Sequence, residues 1–97
     1  MRKVVAEVKI IPMGEVSVSK YIKRAIEIFK KYNLKVSPSA MGTVLEGDID
    51  EILKAYKEAH TEILNYVDRV VSFLEIDERR DKENTIERKL KAIQVGD

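Results

Sequence analysis

The sequence contains no cysteine, so disulfides, thiolate metal ligands and a thiol nucleophile are all excluded. It has a single histidine, His60, too few imidazoles for the usual structural or catalytic zinc sites. Tryptophan is absent, and there are only two phenylalanines. Glycine is scarce, and no phosphate-cradling loop of Walker type occurs. Neither sign of charge is in excess: 18 Lys and Arg stand against 17 Asp and Glu. This lacks the basic stripe of a nucleic-acid-binding surface. No apolar run approaches the ~20 residues needed to span a bilayer. Arg2, Lys3 and Glu7 interrupt the first residues, which is not the pattern of a signal peptide. A soluble, cytoplasmic protein without metal, nucleic-acid or membrane partners is the expectation.

What is present fits one domain over residues 1–97. A chain of this size buries a modest core, and self-association is a natural supplement. Charged residues make up 36% and concentrate in Glu/Lys/Arg-rich helical segments, a composition that suits a thermophile.

Val4, Ala6, Val8 and Ile10 alternate along one side of a first strand, with Val5, Glu7, Lys9 and Ile11 on the other. Pro12 ends it. A turn at 13–16 leads to a helix over 18–32. Ser17 is its expected N-cap, Ile22, Ala25, Ile26 and Phe29 its buried stripe, and Asn33 its left-handed C′ residue. Strands follow at 34–37 and 41–46, with Pro38 marking an edge or a bulge. Asp48 and Glu51 form a capping-box pattern for a second helix whose apolar side carries Ile49, Ile52, Leu53, Tyr56, Ile63, Leu64 and Val67. A last strand spans 69–77, and both of its faces are largely apolar. After a charged loop at 78–83, a terminal helix is expected, with Asn84 and Glu87 as its caps and Ile86, Leu90 and Ile93 as its apolar edge.

The order β-α-β-β-α-β defines an α+β fold, a ferredoxin-like split βαβ sandwich with a four-stranded antiparallel sheet and a C-terminal helix. Leaving Val71 and Phe73 wet on the open side of that sheet costs ~1.5–3 kcal/mol per large side chain. That face therefore reads as a contact with another subunit, which the terminal helix helps to clasp.

Several positions carry candidate chemistry. His60 is either a polar group at a pocket edge or a half-buried helix residue with one nitrogen satisfied. Ser17 and Ser19 sit where a helix N-terminus offers free N–H groups. Glu15 beside them disfavours a pyrophosphate and favours neutral hydroxyl or amine groups. Helix capping is the competing reading of both serines. In Met41-Gly42-Thr43-Val44-Leu45-Glu46-Gly47 two glycines flank a strand bearing a hydroxyl and a carboxylate. Glycine in a strand marks close approach by a ligand or by backbone. Glu46 can pair with an amino-heterocycle or a cationic ring, or can simply face water; on the ligand reading, its amide variant weakens binding and hardly touches the melting temperature. Arg79 and Arg80 can hold an anion or a partner subunit's carboxylate, and the second is preferred.

Taken together, Pro12-x-Gly14, Ser17-Val18-Ser19, the segment from Ser39 to Gly47, Glu58-Ala59-His60, Arg69-Val70 and Ile76-Asp77-x-Arg79-x-Asp81-Lys82 resemble the thiamine-binding-protein family over nearly the whole chain. The resemblance implies a ferredoxin-like fold, homodimers formed through sheets, often homotetramers, and non-catalytic binding of thiamine or its hydroxymethylpyrimidine moiety in the cytoplasm. It implies Ser17, Ser19, Thr43 and Glu46 as ligand-binding residues, with Met41 as an apolar wall. Neither a catalytic residue nor a metal or other cofactor is implied. The absence of a Lys/Arg cluster near these residues favours unphosphorylated thiamine over its diphosphate.

Rivals of the same topology fit less well. An RNA-binding sandwich needs exposed aromatics on its central strands, where Thr43, Val44 and Leu45 stand instead. An acylphosphatase-like enzyme needs an arginine in the first loop, which has none. An oligomeric regulatory or structural domain with a different ligand, or none, remains an alternative.

Overall fold

A computed structural model describes residues 2–95. The elements are β1 (Lys3–Pro12), α1 (Ser19–Phe29), β2 (Lys35–Pro38), β3 (Thr43–Asp48), α2 (Ile49–Leu64), β4 (Val70–Asp77) and α3 (Ile86–Val95). The strands form one sheet in the order β2-β3-β1-β4, with every neighbouring pair antiparallel. This is the ferredoxin-like arrangement, with α1 and α2 packed on one face.

β1 is central because one of its faces is apolar throughout. Val4, Ala6, Val8 and Ile10 are all buried and meet Leu45 from β3 and Ile28, Phe29, Ile52 and Ile63 from the helices. Val8 lies opposite Thr43 on one side and Leu74 on the other. That register phases β4: Val70, Ser72 and Leu74 share the core face, and Val71, Phe73, Glu75 and Asp77 take the open one. Phe73 is half exposed there.

α1 departs from its expected phase. Tyr21, Ala25, Ile28 and Phe29 are buried, whereas Ile22 and Ile26 are only half-buried. The helix is thus rotated so that Tyr21 and Ile28 take the core and Ile22 and Ile26 stand at its flank. Val18, not Ser17, occupies the N-cap position, without a side-chain cap. Its carbonyl accepts from the Tyr21 and Ile22 amides at 3.0 and 3.1 Å, which leaves Ser17 one residue too early to cap. The C-terminus closes by tight turn bonds, Lys31 to Ile28 and Tyr32 to Phe29. Asn33 does not adopt the left-handed conformation: no non-glycine residue among those described has positive φ.

Pro38 lies on an edge strand, as its missing N–H requires. Asp48 caps α2, accepting from the Asp50 amide at 3.1 Å. The reciprocal arm of a capping box is not formed, and Glu51 lies instead 3.9 Å from Lys54. The buried stripe of α2 is Ile52, Ala55, Ala59 and Ile63, so Leu53 and Leu64, expected on its apolar side, are exposed. α3 is capped by Thr85, whose hydroxyl accepts from the Arg88 amide at 3.0 Å. The Asn84 side chain instead donates to the Asp77 carbonyl at 2.8 Å. α3 lies against the open sheet face, where Ile86 and Leu90 face Val5 and Val44 across a shallow groove.

Candidate functional site

β3 stops pairing with β1 before β1 ends. The last bonded pair on that side is Val8 with Thr43, while β4 stays with β1 as far as Pro12. Hydrogen-bonding direction alternates along a strand. The Met13 amide donates to Arg69 on the β4 side, and the Arg2 carbonyl accepts from Ile49 on the β3 side. Odd residues of β1 therefore point their main-chain groups at β4 and even residues at β3. At Ile10 that direction holds no strand.

The gap opens into a cavity of about 340 Å³ between α1, the end of β1 and the β2–β3 loop. Val8, Ile10 and Thr43 form its floor, Ile22 and Ile26 its helical wall, and Met41 stands at its mouth. Met41 is 80% exposed, as befits a rim residue. The loop is held in shape by Ser39, whose amide and hydroxyl both donate to the Gly42 carbonyl, at 2.8 and 2.7 Å. No carboxylate lines the cavity. Lys9 borders it through its main chain, since its side chain belongs to the open face.

Thr43 faces this cavity from the core side of β3. It is only 5% exposed, and its hydroxyl is not among buried groups left without a partner, of which the described residues have none. As part of the cavity lining, it can donate to or accept from a polar group that enters. Ser17 and Ser19 lie in an adjoining surface groove along α1, which shares Val18, Ile22 and Ile26 with the cavity. Four of the five expected ligand residues, Ser17, Ser19, Met41 and Thr43, thus gather at one end of the molecule.

Glu46 is not brought to them. It lies opposite Val5, on the other face of the sheet from Thr43. One of its oxygens accepts from the Ile86 amide of α3 at 2.7 Å, and the other is 3.2 Å from the Lys3 ammonium. Burial pushes its carboxyl up, but the Ile86 amide and Lys3 outweigh it and hold the group below its ordinary value. Gly47 is close-packed by the protein's own chain: a Cβ there would lie 2.6 Å from Leu34 Cδ2 and 3.3 Å from the Asn33 carbonyl oxygen.

His60 is not at the cavity. Its Nδ1 and the Tyr56 hydroxyl each lie 2.6 Å from the Ser72 hydroxyl, so the three groups satisfy one another between α2 and β4. Arg79 is paired within its own loop, donating to both oxygens of Asp81 at 2.7 and 2.5 Å. Those bonds hold the Asp81 carboxyl down at about 2. Glu15 accepts from the Tyr21 hydroxyl at 2.5 Å.

The Ile10 main chain and the Ile22–Ile26 wall did not emerge from the sequence. One signal for the first was available: Pro12 shares Ile10's direction, and its missing donor is harmless because that side has no partner.

Comparison with known proteins agrees with this architecture. Residues 6–94 match the thiamine-binding protein family. A UPF0045 protein of Methanocaldococcus jannaschii is 78% identical over 94 residues, covering 96% of this chain and 94% of its own. The crystal structure described as a hypothetical protein from that organism superposes with a TM-score of 0.95 at 77% identity, covering 97% of this chain and 98% of the other. A Thermotoga maritima structure, described as a putative thiamine biosynthesis/salvage protein, superposes with a TM-score of 0.80 at 28% identity, covering 94% of this chain and 98% of the other. A chain matched over nearly its whole length, in the same fold, belongs to the thiamine-binding protein family.

Proposed function

We propose that the protein binds thiamine or its hydroxymethylpyrimidine moiety without transforming it, serving the cytoplasm as a carrier, store or sensor. The observation that carries this reading is the cavity beside β1. It is of ligand size and mostly apolar, and Thr43 places a hydroxyl-bearing side chain in its lining. The Thermotoga protein's description supports the same ligand class. No Lys or Arg head group lines the cavity, which favours unphosphorylated ligands over the diphosphate.

Calorimetry with thiamine, its diphosphate and hydroxymethylpyrimidine tests the reading. Saturable binding near one site per chain, lost in Thr43→Val, is the expected result. A diphosphate bound much more tightly than thiamine contradicts the preference for the unphosphorylated form, and no binding of any of them overturns the ligand assignment.

A second reading has its own observation. Ile11, Phe73, Leu90 and Ile93 leave the open face and α3 substantially apolar and exposed. This favours a homodimer formed through the sheets, and a homotetramer beyond it. If no ligand binds, an oligomeric regulatory or structural domain becomes the better account. Light scattering at micromolar concentration is expected to give a mass above the monomer, and a monomeric mass contradicts assembly.

A further inference from the structure

We propose that the main chain of Ile10 is the specificity element of this cavity, reading the N=C–NH2 edge of an aminopyrimidine as a further β-strand would. The inference rests on the ligand reading above and goes beyond it by naming which end of the ligand enters and what recognises it.

Ile10 is 4% exposed and lines the cavity, its side chain on the core face of β1 with that of Val8 and its main chain at the strand edge. Its N–H and C=O point to the side where β3 has already ended. Among the described residues neither group has a backbone partner there. Buried main-chain groups are nearly always paired, and this donor and acceptor therefore await a partner. In extended backbone the N–H and C=O of one residue project side by side to the same flank. An aminopyrimidine presents the complementary pair, a ring nitrogen that accepts beside an amine that donates. The Ile10 N–H donates to the ring nitrogen and the amine donates to the Ile10 carbonyl. This is strand addition in miniature, the main chain giving affinity and the cavity walls giving shape.

The lining settles which end of thiamine goes in. The walls are aliphatic, with Phe29 behind them, and hold no carboxylate. Burying the cationic thiazolium there, unpaired, is expensive. The neutral pyrimidine enters, Thr43 supplies a further bond at the floor, and the thiazolium stays at the mouth beside Met41. Polar recognition then resides wholly in the half of the molecule that hydroxymethylpyrimidine shares with thiamine.

The test compares hydroxymethylpyrimidine and thiamine with their 4-oxo analogues. Exchanging the amine for a carbonyl puts a proton on the neighbouring ring nitrogen, so donor and acceptor trade places and both Ile10 contacts become repulsive. The expected result is binding of both amino compounds and a loss of at least about 100-fold for the oxo analogues. Hydrogen exchange gives the second readout. The Ile10 amide is expected to exchange faster than that of Val8 in the free protein and to become protected when hydroxymethylpyrimidine saturates the site. If the amino compounds bind but the oxo analogues bind equally well, or Ile10 stays unprotected, the Ile10 assignment is overturned while the ligand reading stands. If neither amino compound binds, the ligand reading itself fails and this inference fails with it.

Discussion

Replacing Glu46 by alanine tests how α3 is held to the sheet. Glu46 sits on β3, far in sequence from the helix whose first turn it serves. Its carboxylate accepts from the Ile86 amide at 2.7 Å, one of the N–H groups a helix start cannot satisfy internally. The side chain is only 11% exposed. A hydrogen bond to a charged group contributes ~1.5–3 kcal/mol. The Lys3 contact, with a half-exposed ammonium, adds ~0–1 kcal/mol. Glu46→Ala is therefore expected to cost about 2–3 kcal/mol, which lowers the Tm of a domain this size by roughly 10–20 °C. Glu46→Gln keeps an acceptor and costs about half as much, so the expectation that it leaves melting untouched is revised. The effect depends on pH in a defined direction. The folded-state pKa is held below the ordinary 4.5, so the stabilisation is fully present above 4.5 and is lost as pH falls through the lower folded value. Thermal melts of parent and variant at neutral pH, repeated through the acid range, should converge at low pH. Exchange of the α3 amides detects a helix that detaches before the rest melts. An Ala variant that melts within about 2 °C of the parent at neutral pH, with α3 equally protected, refutes the argument.

Gly47→Ala places a methyl 2.6 Å from Leu34 Cδ2 and against the Asn33 carbonyl. It should cost about 1–2 kcal/mol in urea denaturation even though Leu34 can shift, and an unchanged or raised stability would show that the approach is not tight. Ser72→Ala leaves the Tyr56 hydroxyl and His60 Nδ1 without their shared partner. A loss of about 1–3 kcal/mol is expected, and no loss would mean that water replaces the serine freely. The Asp81 carboxyl should titrate near 2 by NMR and return toward 3.8 in Arg79→Gln. A parent titration already at 3.8 would show that the pair is not formed in solution.

The parts of the fold legible in the sequence were those fixed by local pattern. The alternation of Val4, Ala6, Val8 and Ile10 identified both the strand and its core face, because a one-residue slip exposes every member of the set. Asp48 announced its helix because a cap acts on its nearest amides. What depended on neighbours was misread. The stripe of α1 can be drawn through Ile22 and Ile26 or through Tyr21 and Ile28, and only its packing on α2 and the sheet selects the second. β4 could not be phased until its register with β1 was known. The candidate site divides the same way. Met41 and Thr43 sit in one short segment and share a cavity, but Glu46, three residues beyond Thr43, alternates to the other face. Nothing local in the sequence announces that Ile86 will come to meet it.

The central position of β1 has a consequence for how the chain is made. β1 is made before every other element described, and Asp77, the partner of Val5, is synthesised roughly 4–14 s after Val5 at ~5–20 residues per second. During that interval the most apolar strand of the protein has at most one neighbour. β3 arrives earlier and, with α1, can cover the core face of β1 as a partial hairpin-like unit, while the flank that β4 will occupy stays an open ribbon edge. Until β4 is made, that flank is where a nascent chain can cross-pair, and Glu7 and Lys9, the charges that interrupt the other face of β1, stand where they discourage such pairing.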